Sequence, residues 1–352
     1  MTTLPWEVDF PALDRAVMDD ITNRWNNIAK PKNSLGHLEK AVTKIAGLTG
    51  VANYSIDKRI VMVFCADNGV VKQGVARTGS EVTEVLARCM ASGDITVCKM
   101  ASVAHADVVG VDMGIYCDLQ LPELLDRRIA AGTDDISRGP AMSLEQAITG
   151  IRHGMELARE YKDRGYKIIV TGEVGIGNTT TSSAMASVYL DADPVEVTGR
   201  GAGLDPEGVA RKAAVIKKAI TTNNPNPDDA LDVLAKLGGF DIAGMTGVFL
   251  GGALYRIPVL VDGLISSIAA LTAAKLNPDA RNAMLASHVS AEPAGGKLLG
   301  ALCLDPLICA NLCLGEGTGA VAALPLLDMA YAVYKDMLTY EEIAIGKYTP
   351  KG

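Results

Sequence analysis

The sequence predicts an α/β fold: a three-layer domain with a parallel sheet flanked by helices, plus a small helical domain assembled from both chain ends. Two observations carry this. Short apolar, β-branched runs recur, each closing on a Gly or Asp turn and followed by a longer helical stretch. The apolar residues are also mostly Ala, Val, Leu and Ile: of 352 residues, 49% are hydrophobic but only 5% aromatic, with 36 glycines. That mix suits closely packed helices and Gly-rich loops. Runs that are apolar at consecutive positions belong to strands buried on both faces, the pattern of a parallel sheet.

Taken in order, residues 1–50 read as helices with polar breaks. The run Arg59-Ile-Val-Met-Val-Phe-Cys65 reads as a strand ending in Ala66-Asp67-Asn68-Gly69, and Ala106-Asp-Val-Val-Gly-Val111 as one ending in Asp112-Met113-Gly114. Lys167-Ile-Ile-Val170 ends in Thr171-Gly172-Glu173, and Ile257-Pro-Val-Leu-Val261 in Asp262-Gly263. Asp205 to Ala219 reads as a helix, and the two prolines of Asn223–Asp229 make that stretch a loop. Ala320 to Met337 reads as a long apolar helix before a polar tail. The expected division is a large α/β domain over 51–319 and a small helical domain from 1–50 plus 320–352. Ligands of open parallel sheets bind beyond the carboxyl ends of the strands. Those ends carry Asp67, Asp112, Glu173 and Asp262, a row of acids along the expected crevice.

Composition excludes several function classes. A formal net charge of -8 argues against nucleic acid as a standing partner, while leaving room for a small anion where loops supply a positive field. The apolar region from Met245 to Ala274 is broken by Arg256, Pro258 and Asp262, so no membrane span is expected. Met1 to Asp14 has acids and prolines where a secretory signal has a basic start and an apolar stretch, and a cytoplasmic protein is expected. Seven cysteines (Cys65, Cys89, Cys98, Cys117, Cys303, Cys309, Cys313) form no C-x-x-C pair and read as reduced, buried thiols, although Cys309 and Cys313 have helical spacing. His37, His105, His153 and His288 share no metal-ligand spacing and fit no hydrolytic triad, so no metal is expected. His288, after a predicted strand, reads as a packed residue.

Three glycine-rich stretches carry the chemistry. Thr171-Gly-Glu-Val-Gly-Ile-Gly-Asn-Thr-Thr-Thr-Ser-Ser-Ala184 lies between a strand and a helix of small residues. Its glycines free successive N–H groups to face one anion, and the helix start adds its dipole. The stretch nearly spells a nucleotide-triphosphate loop, but Asn178 stands where that loop has lysine, so a single phosphate fits better. Thr198-Gly-Arg-Gly-Ala-Gly-Leu-Asp205 breaks the dinucleotide fingerprint after its third glycine, and a tight turn explains it about as well; Lys212 on the next helix is a point charge for a phosphate. In Leu312-Cys-Leu-Gly-Glu-Gly-Thr-Gly-Ala320, Glu316 is a lone carboxylate between two glycines, which let the backbone turn and bring another molecule close.

Six segments together resemble nicotinate-nucleotide:dimethylbenzimidazole phosphoribosyltransferases: Pro31-Lys-Asn-Ser-Leu-Gly36, Ala66-Asp-Asn-Gly-Val70, Gly172-Glu-Val-Gly-Ile-Gly-Asn-Thr-Thr180, Gly199-Arg-Gly-Ala-Gly203, Ser287-His-Val-Ser-Ala-Glu-Pro293 and Gly315-Glu-Gly-Thr-Gly319. The resemblance spans nearly the whole chain in order. It implies transfer of ribose 5-phosphate from nicotinate mononucleotide to the lower-ligand base of cobamides, with no cofactor. It also implies a large α/β domain with a small helical one, and a homodimer. Glu316 then falls at the general base. Gly175, Gly177, Asn178 and Thr179, with Gly201, Gly203 and Lys212, fall in the phosphate site, and Glu173 beside the ribose and phosphate.

The chain departs from that family after Gly74-Val75, where Ser-x-Tyr-Pro-Gln-Glu-Val-Thr is common. Here the segment is Ala76-Arg-Thr-Gly-Ser-Glu-Val-Thr83, with Val85 in place of a further Gln and Asp67-Asn68 in place of Asp-His. The base pocket is expected from Arg77, Thr78, Val85 and Leu314. Losing a polar partner changes which acceptor is preferred, so a phenolic acceptor stands level with dimethylbenzimidazole; some relatives that activate phenols are heterodimers. A non-catalytic partner subunit is the competing reading, and Glu316 argues against it. A dinucleotide-dependent dehydrogenase has only the broken fingerprint behind it.

Overall fold

The computed structural model describes residues 4–116 and 124–346; Cys117 lies outside the described residues, as do residues 347–352 of the polar tail. Strands β1 (Arg59–Ala66), β2 (Ala106–Gly114), β3 (Leu124–Asp126), β4 (Ile168–Val174), β5 (Val259–Val261) and β6 (Met284–Ala286) form one sheet in the order β3-β2-β1-β4-β5-β6. Every neighbouring pair is parallel. The first three strands step outward one way from β1 and the last three step the other way from β4, so the winding reverses between them. Loops leaving the carboxyl ends diverge at such a reversal and open a crevice. The four strands read from the sequence are present. β3 has no signal in the sequence: Leu124-Leu-Asp126 has no β-branched run, and only pairing with Gly110–Asp112 makes it a strand.

All eight residues of β1 are buried, and they sort by parity into two cores. Ile60, Met62, Phe64 and Ala66 face one apolar cluster with the helices Leu144–Asp163, Phe240–Leu254 and Leu264–Leu276. Val61, Val63 and Cys65 face the other, with Arg15–Asn27, His37–Thr49 and Thr318–Asp336. Helices from the two chain ends therefore pack on each other and on the sheet. Trp25 and Tyr334 approach to 5.1 Å between ring centroids. Arg24 donates to the carbonyls of Tyr334 and Lys335 at 2.7 and 2.9 Å, satisfying free acceptors at the end of the last helix.

The small-residue composition has its clearest use between Leu144–Asp163 and Phe240–Leu254. A Cβ on Gly154 would lie 1.9 Å from the Gly244 carbonyl oxygen, and one on Gly247 2.0 Å from that of Ile151. The two helix backbones touch, and no side chain fits between them. Replacing Gly154 by alanine has to push backbone against backbone, so Gly154→Ala should cost at least about 1–3 kcal/mol, the ordinary cost of overpacking. Chemical denaturation reads this as a lower midpoint with an unchanged slope.

Candidate active site

A cavity of about 570 Å³ opens beyond the carboxyl ends of β4, β5 and β6, and Glu173, Gly175, Asn178, Thr179, Gly201, Asp262, His288, Glu292, Leu314 and Glu316 are among the residues that line it. Three chain segments far apart in sequence supply its chemistry: 173–179 after β4, 199–203 before the helix Pro206–Asn223, and 311–316 before Thr318–Asp336.

Glu316 sits in an unusual backbone. Gly315, Glu316 and Gly317 all have positive φ, at 91°, 60° and 92°. A non-glycine residue in this region costs about 1–2 kcal/mol, so the surroundings must hold it there. They do so from two sides. A Cβ on Gly172 of β4 would fall 2.2 Å from the Glu316 carbonyl oxygen, so the loop lies directly on the strand. Asp262, just past β5, accepts the Ala320 N–H at 2.9 Å and ties the start of the last helix to the sheet. The Glu316 carboxylate then reaches Val97, whose N–H donates to Oε2 at 3.0 Å in the first turn of the helix Thr96–Val103. Burial, with Asp262 nearby, pushes the Glu316 carboxyl above the ordinary 4.5, and the Val97 N–H opposes that rise.

Below Gly315 lies Glu173, so close that a Cβ on Gly315 would sit 2.5 Å from Glu173 Oε1. The Asn178 side-chain amide donates both to Glu173 and to Asp241, the latter at 3.0 Å. One neutral NH₂ group thus spans two buried carboxyls where a nucleotide-triphosphate loop would place a lysine cation. Burial, then the charge of Asp241, pushes Glu173 well above the ordinary carboxylate range. Burial also pushes Asp241 up to about 6, against hydrogen bonds from Asn178 and the Ile242 N–H. The sequence reading missed Asp241; its signal was a lone acid opening the otherwise apolar helix Phe240–Leu254.

The positive charge comes from the side. Lys212, fully buried, donates to Thr179 Oγ1 at 2.8 Å and is 3.4 Å from the Gly199 carbonyl oxygen. Burial pulls its ammonium down to about 8, with Glu292 opposing. Gly201 packs against both Thr179 and Lys212, so the two glycine loops and the lysine converge. Gly177 caps the helix Asn178–Tyr189 from the left-handed region with φ 94°, and Gly203 lines an adjoining cavity with Gly199 and Arg200.

Several expected site residues are elsewhere. Of the row of acids, Asp67 and Asp112 do not line the cavity. Asp67 accepts from Thr83 Oγ1 at 2.7 Å and from the Tyr116 N–H at 2.9 Å, and Thr83 in turn accepts the Ile176 N–H at 3.2 Å. Asp67 therefore steadies the 175–177 loop through Thr83. Asp112 accepts the Gly114 and Ile115 N–H groups and pairs with Arg128 at 3.0 Å. Val85 is 55% exposed, and its neighbour Leu86 lines the cavity in its place, because helix Glu81–Ala91 turns the next residue inward. Arg77 and Thr78 are exposed on a bend, Arg77 beside Gly203. Leu314 stands at the mouth, 57% exposed. His288 is buried, as expected, and also lines the cavity. The buried-thiol reading holds for Cys65 alone among the described cysteines. Cys303, Cys309 and Cys313 are exposed, and the last two lie in irregular backbone rather than on one helix.

Against known proteins, the family model described as Phosphoribosyltransferase matches residues 10–345. The chain is 43% identical to nicotinate-nucleotide–dimethylbenzimidazole phosphoribosyltransferase of Ruminiclostridium cellulolyticum, over 96% of each chain. It belongs to this phosphoribosyltransferase family. A second relative of the same name, from Clostridium acetobutylicum, is 41% identical over 96% of each chain. A solved structure of the enzyme so named from Thermus thermophilus superposes with a TM-score of 0.89 at 33% identity, covering 96% of this chain and 100% of that one. The chain is thus a pentosyltransferase with the family's α/β fold. Among the described residues no helix is long and apolar enough to cross a membrane, and no group of three His, Cys, Asp or Glu side chains could hold a metal ion.

Asp241 makes stability depend on pH in a stated direction. Its carboxyl is raised from 3.8 to about 6 on folding, so its contribution is fully present below the unfolded value and is lost as pH rises through the folded one. That rise corresponds to about 3 kcal/mol lost between about pH 4 and pH 7. The difference between wild type and Asp241→Asn in urea unfolding across that range isolates it, the variant showing the shallower loss.

Proposed function

We propose that the protein transfers the ribose 5-phosphate group of nicotinate mononucleotide to an aromatic acceptor, a benzimidazole or a phenol, giving an α-riboside 5′-phosphate and nicotinate. The observation that carries this reading is that a fixed carboxylate, Glu316, and two glycine loops line one cavity, with the buried Lys212 bonded to Thr179 of that lining. The phosphate is held by Gly175, Gly177, Asn178 and Thr179 from one loop, by Gly201 and Gly203 from the other, and by Lys212. This leaves the ribosyl carbon between Glu173 and Glu316.

The pyridinium of the donor is already cationic, so nicotinate departs with the electron pair of the glycosidic bond and needs no proton. Positive charge develops on the ribosyl carbon. Glu173 faces that carbon, and its carboxylate stabilises the charge as it develops, where the barrier is highest. The acceptor's ring nitrogen or phenolic oxygen forms the new bond, and its proton passes to Glu316. The family relatives named above support a benzimidazole. Leu86, Leu312 and Leu314 present hydrocarbon to the acceptor, and this supports a phenol equally, since a phenol has no second ring nitrogen to satisfy.

Glu316→Gln should lower kcat by about 10²–10⁴-fold with the nicotinate mononucleotide Kd within about threefold of wild type; turnover within a few-fold of wild type contradicts the assignment. The base works ionised and its carboxyl lies above 4.5. The rate of the wild type should therefore rise with pH through a limb placed above that value, and the limb should be missing in Glu316→Gln.

A further inference from the structure

Glu292 has no part in the scheme above. It stands in Ser290-Ala-Glu-Pro293, after β6, and lines the cavity. Its Oε1 accepts the Gly201 N–H at 3.0 Å. Its Oε2 is cut off from solvent and has no hydrogen-bond partner. The carboxylate presses so closely on the loop that a Cβ on Gly199 would fall 1.7 Å from Oε2. Gly201 is also the residue packed against Thr179 and Lys212, and Glu292 is the charged group that favours the ammonium form of that buried lysine. A carboxylate thus holds a backbone donor of the proposed phosphate site and lies near enough to its cation to favour the charged form.

A buried carboxylate oxygen without a donor is costly, and a phosphate brought to the Gly201 N–H would meet the like charge of Glu292. Behind the Gly199–Gly203 loop lies a second cavity of about 480 Å³, which shares Gly201 and Glu292 with the first and adds Arg200. We propose that Glu292 is a resident anion of the phosphate loop. In the nucleotide-free protein it takes the Gly201 N–H and balances Lys212, and it swings toward Arg200 when the 5′-phosphate enters. This rests on the reading of the two glycine loops as the phosphate site. Glu292 is then a positioning residue that sets how tightly the donor binds, and it keeps the loop and Lys212 charged and open when no nucleotide is present.

Calorimetric titration of the full-length protein with inorganic phosphate and, separately, with nicotinate mononucleotide tests this. The comparison is wild type, Glu292→Gln and Lys212→Ala at mildly acidic pH, where Lys212 stays protonated. Removing the resident charge should tighten inorganic phosphate about tenfold and tighten the nucleotide in the same direction. Phosphate affinity unchanged with the nucleotide weakened would overturn the inference and make Glu292 a ligand of the ribose hydroxyls, which inorganic phosphate lacks. Both affinities unchanged, or both weakened, would overturn it in favour of a structural role. Lys212→Ala separates the two levels: if it leaves phosphate binding intact, the phosphate-site reading itself fails. Should Glu292→Gln not fold, Glu292→Asp, whose shorter side chain draws the charge back from Gly201, is expected to tighten phosphate as well, and its failure to do so overturns the inference.

Discussion

The site depends on one steric fact: β4 carries no side chain at Gly172, and the backbone of Glu316 fills that space. A strand in the middle of a parallel sheet is among the most rigid elements of a fold, because it is paired on both sides. A loop resting directly on it inherits that rigidity. The left-handed backbone at Glu316, unfavourable for a residue with a Cβ, is held by this contact and by the Asp262 tether to the last helix. The carboxylate is aimed by backbone rather than by a rotamer choice, and the general-base role proposed for it calls for such positioning before any substrate arrives.

The second constraint is electrostatic. Asn178, Glu173 and Asp241 place a neutral amide between two carboxyls, and burial keeps both carboxyls above their ordinary range. A lysine at position 178 would have ionised both acids and anchored a polyphosphate. The amide leaves both acids raised above their ordinary range by burial, and a cation, Lys212, reaches Thr179 of the same loop from another helix. The Lys212 cation thus sits beside Thr179 while Glu173 and Glu316 line the same cavity, the separation of charge that the proposed positions of phosphate and ribosyl carbon call for. Glu316, less deeply buried and helped by the Val97 N–H, is the carboxyl most able to exchange a proton.

Much of this was legible in the residues. Consecutive apolar β-branched runs announced a parallel sheet, and glycine on both sides of a lone glutamate announced a carboxylate in an exceptional backbone. That the 172–180 and 199–203 loops come together was implied by the family resemblance, since the second loop alone reads equally well as a tight turn. What was not legible depends on pairing and orientation. β3 exists only because β2 is beside it. Asp67 and Asp112 ended strands as expected, but whether an acid faces a cavity or caps a neighbouring loop depends on partners such as Thr83 and Arg128, distant in sequence. Val85 and Leu86 differ by one residue, about a quarter turn of helix, and that rotation is set by packing that local pattern does not encode. Asp241 is a single acid opening an apolar helix, and Glu292, although it stands in one of the six family-like segments, shows a role only once the Gly199–Gly203 loop is folded against it.

The central claim is that donor and acceptor meet between the phosphate loops and Glu316, and identifying the product tests it most directly. Purified protein is incubated with nicotinate mononucleotide and, in turn, 5,6-dimethylbenzimidazole, phenol and p-cresol, and products are resolved by mass spectrometry. The account predicts a riboside 5′-phosphate of at least one acceptor in equal amount to released nicotinate. Release of nicotinate with ribose 5-phosphate alone, or no release from a protein that demonstrably binds the nucleotide, would contradict it.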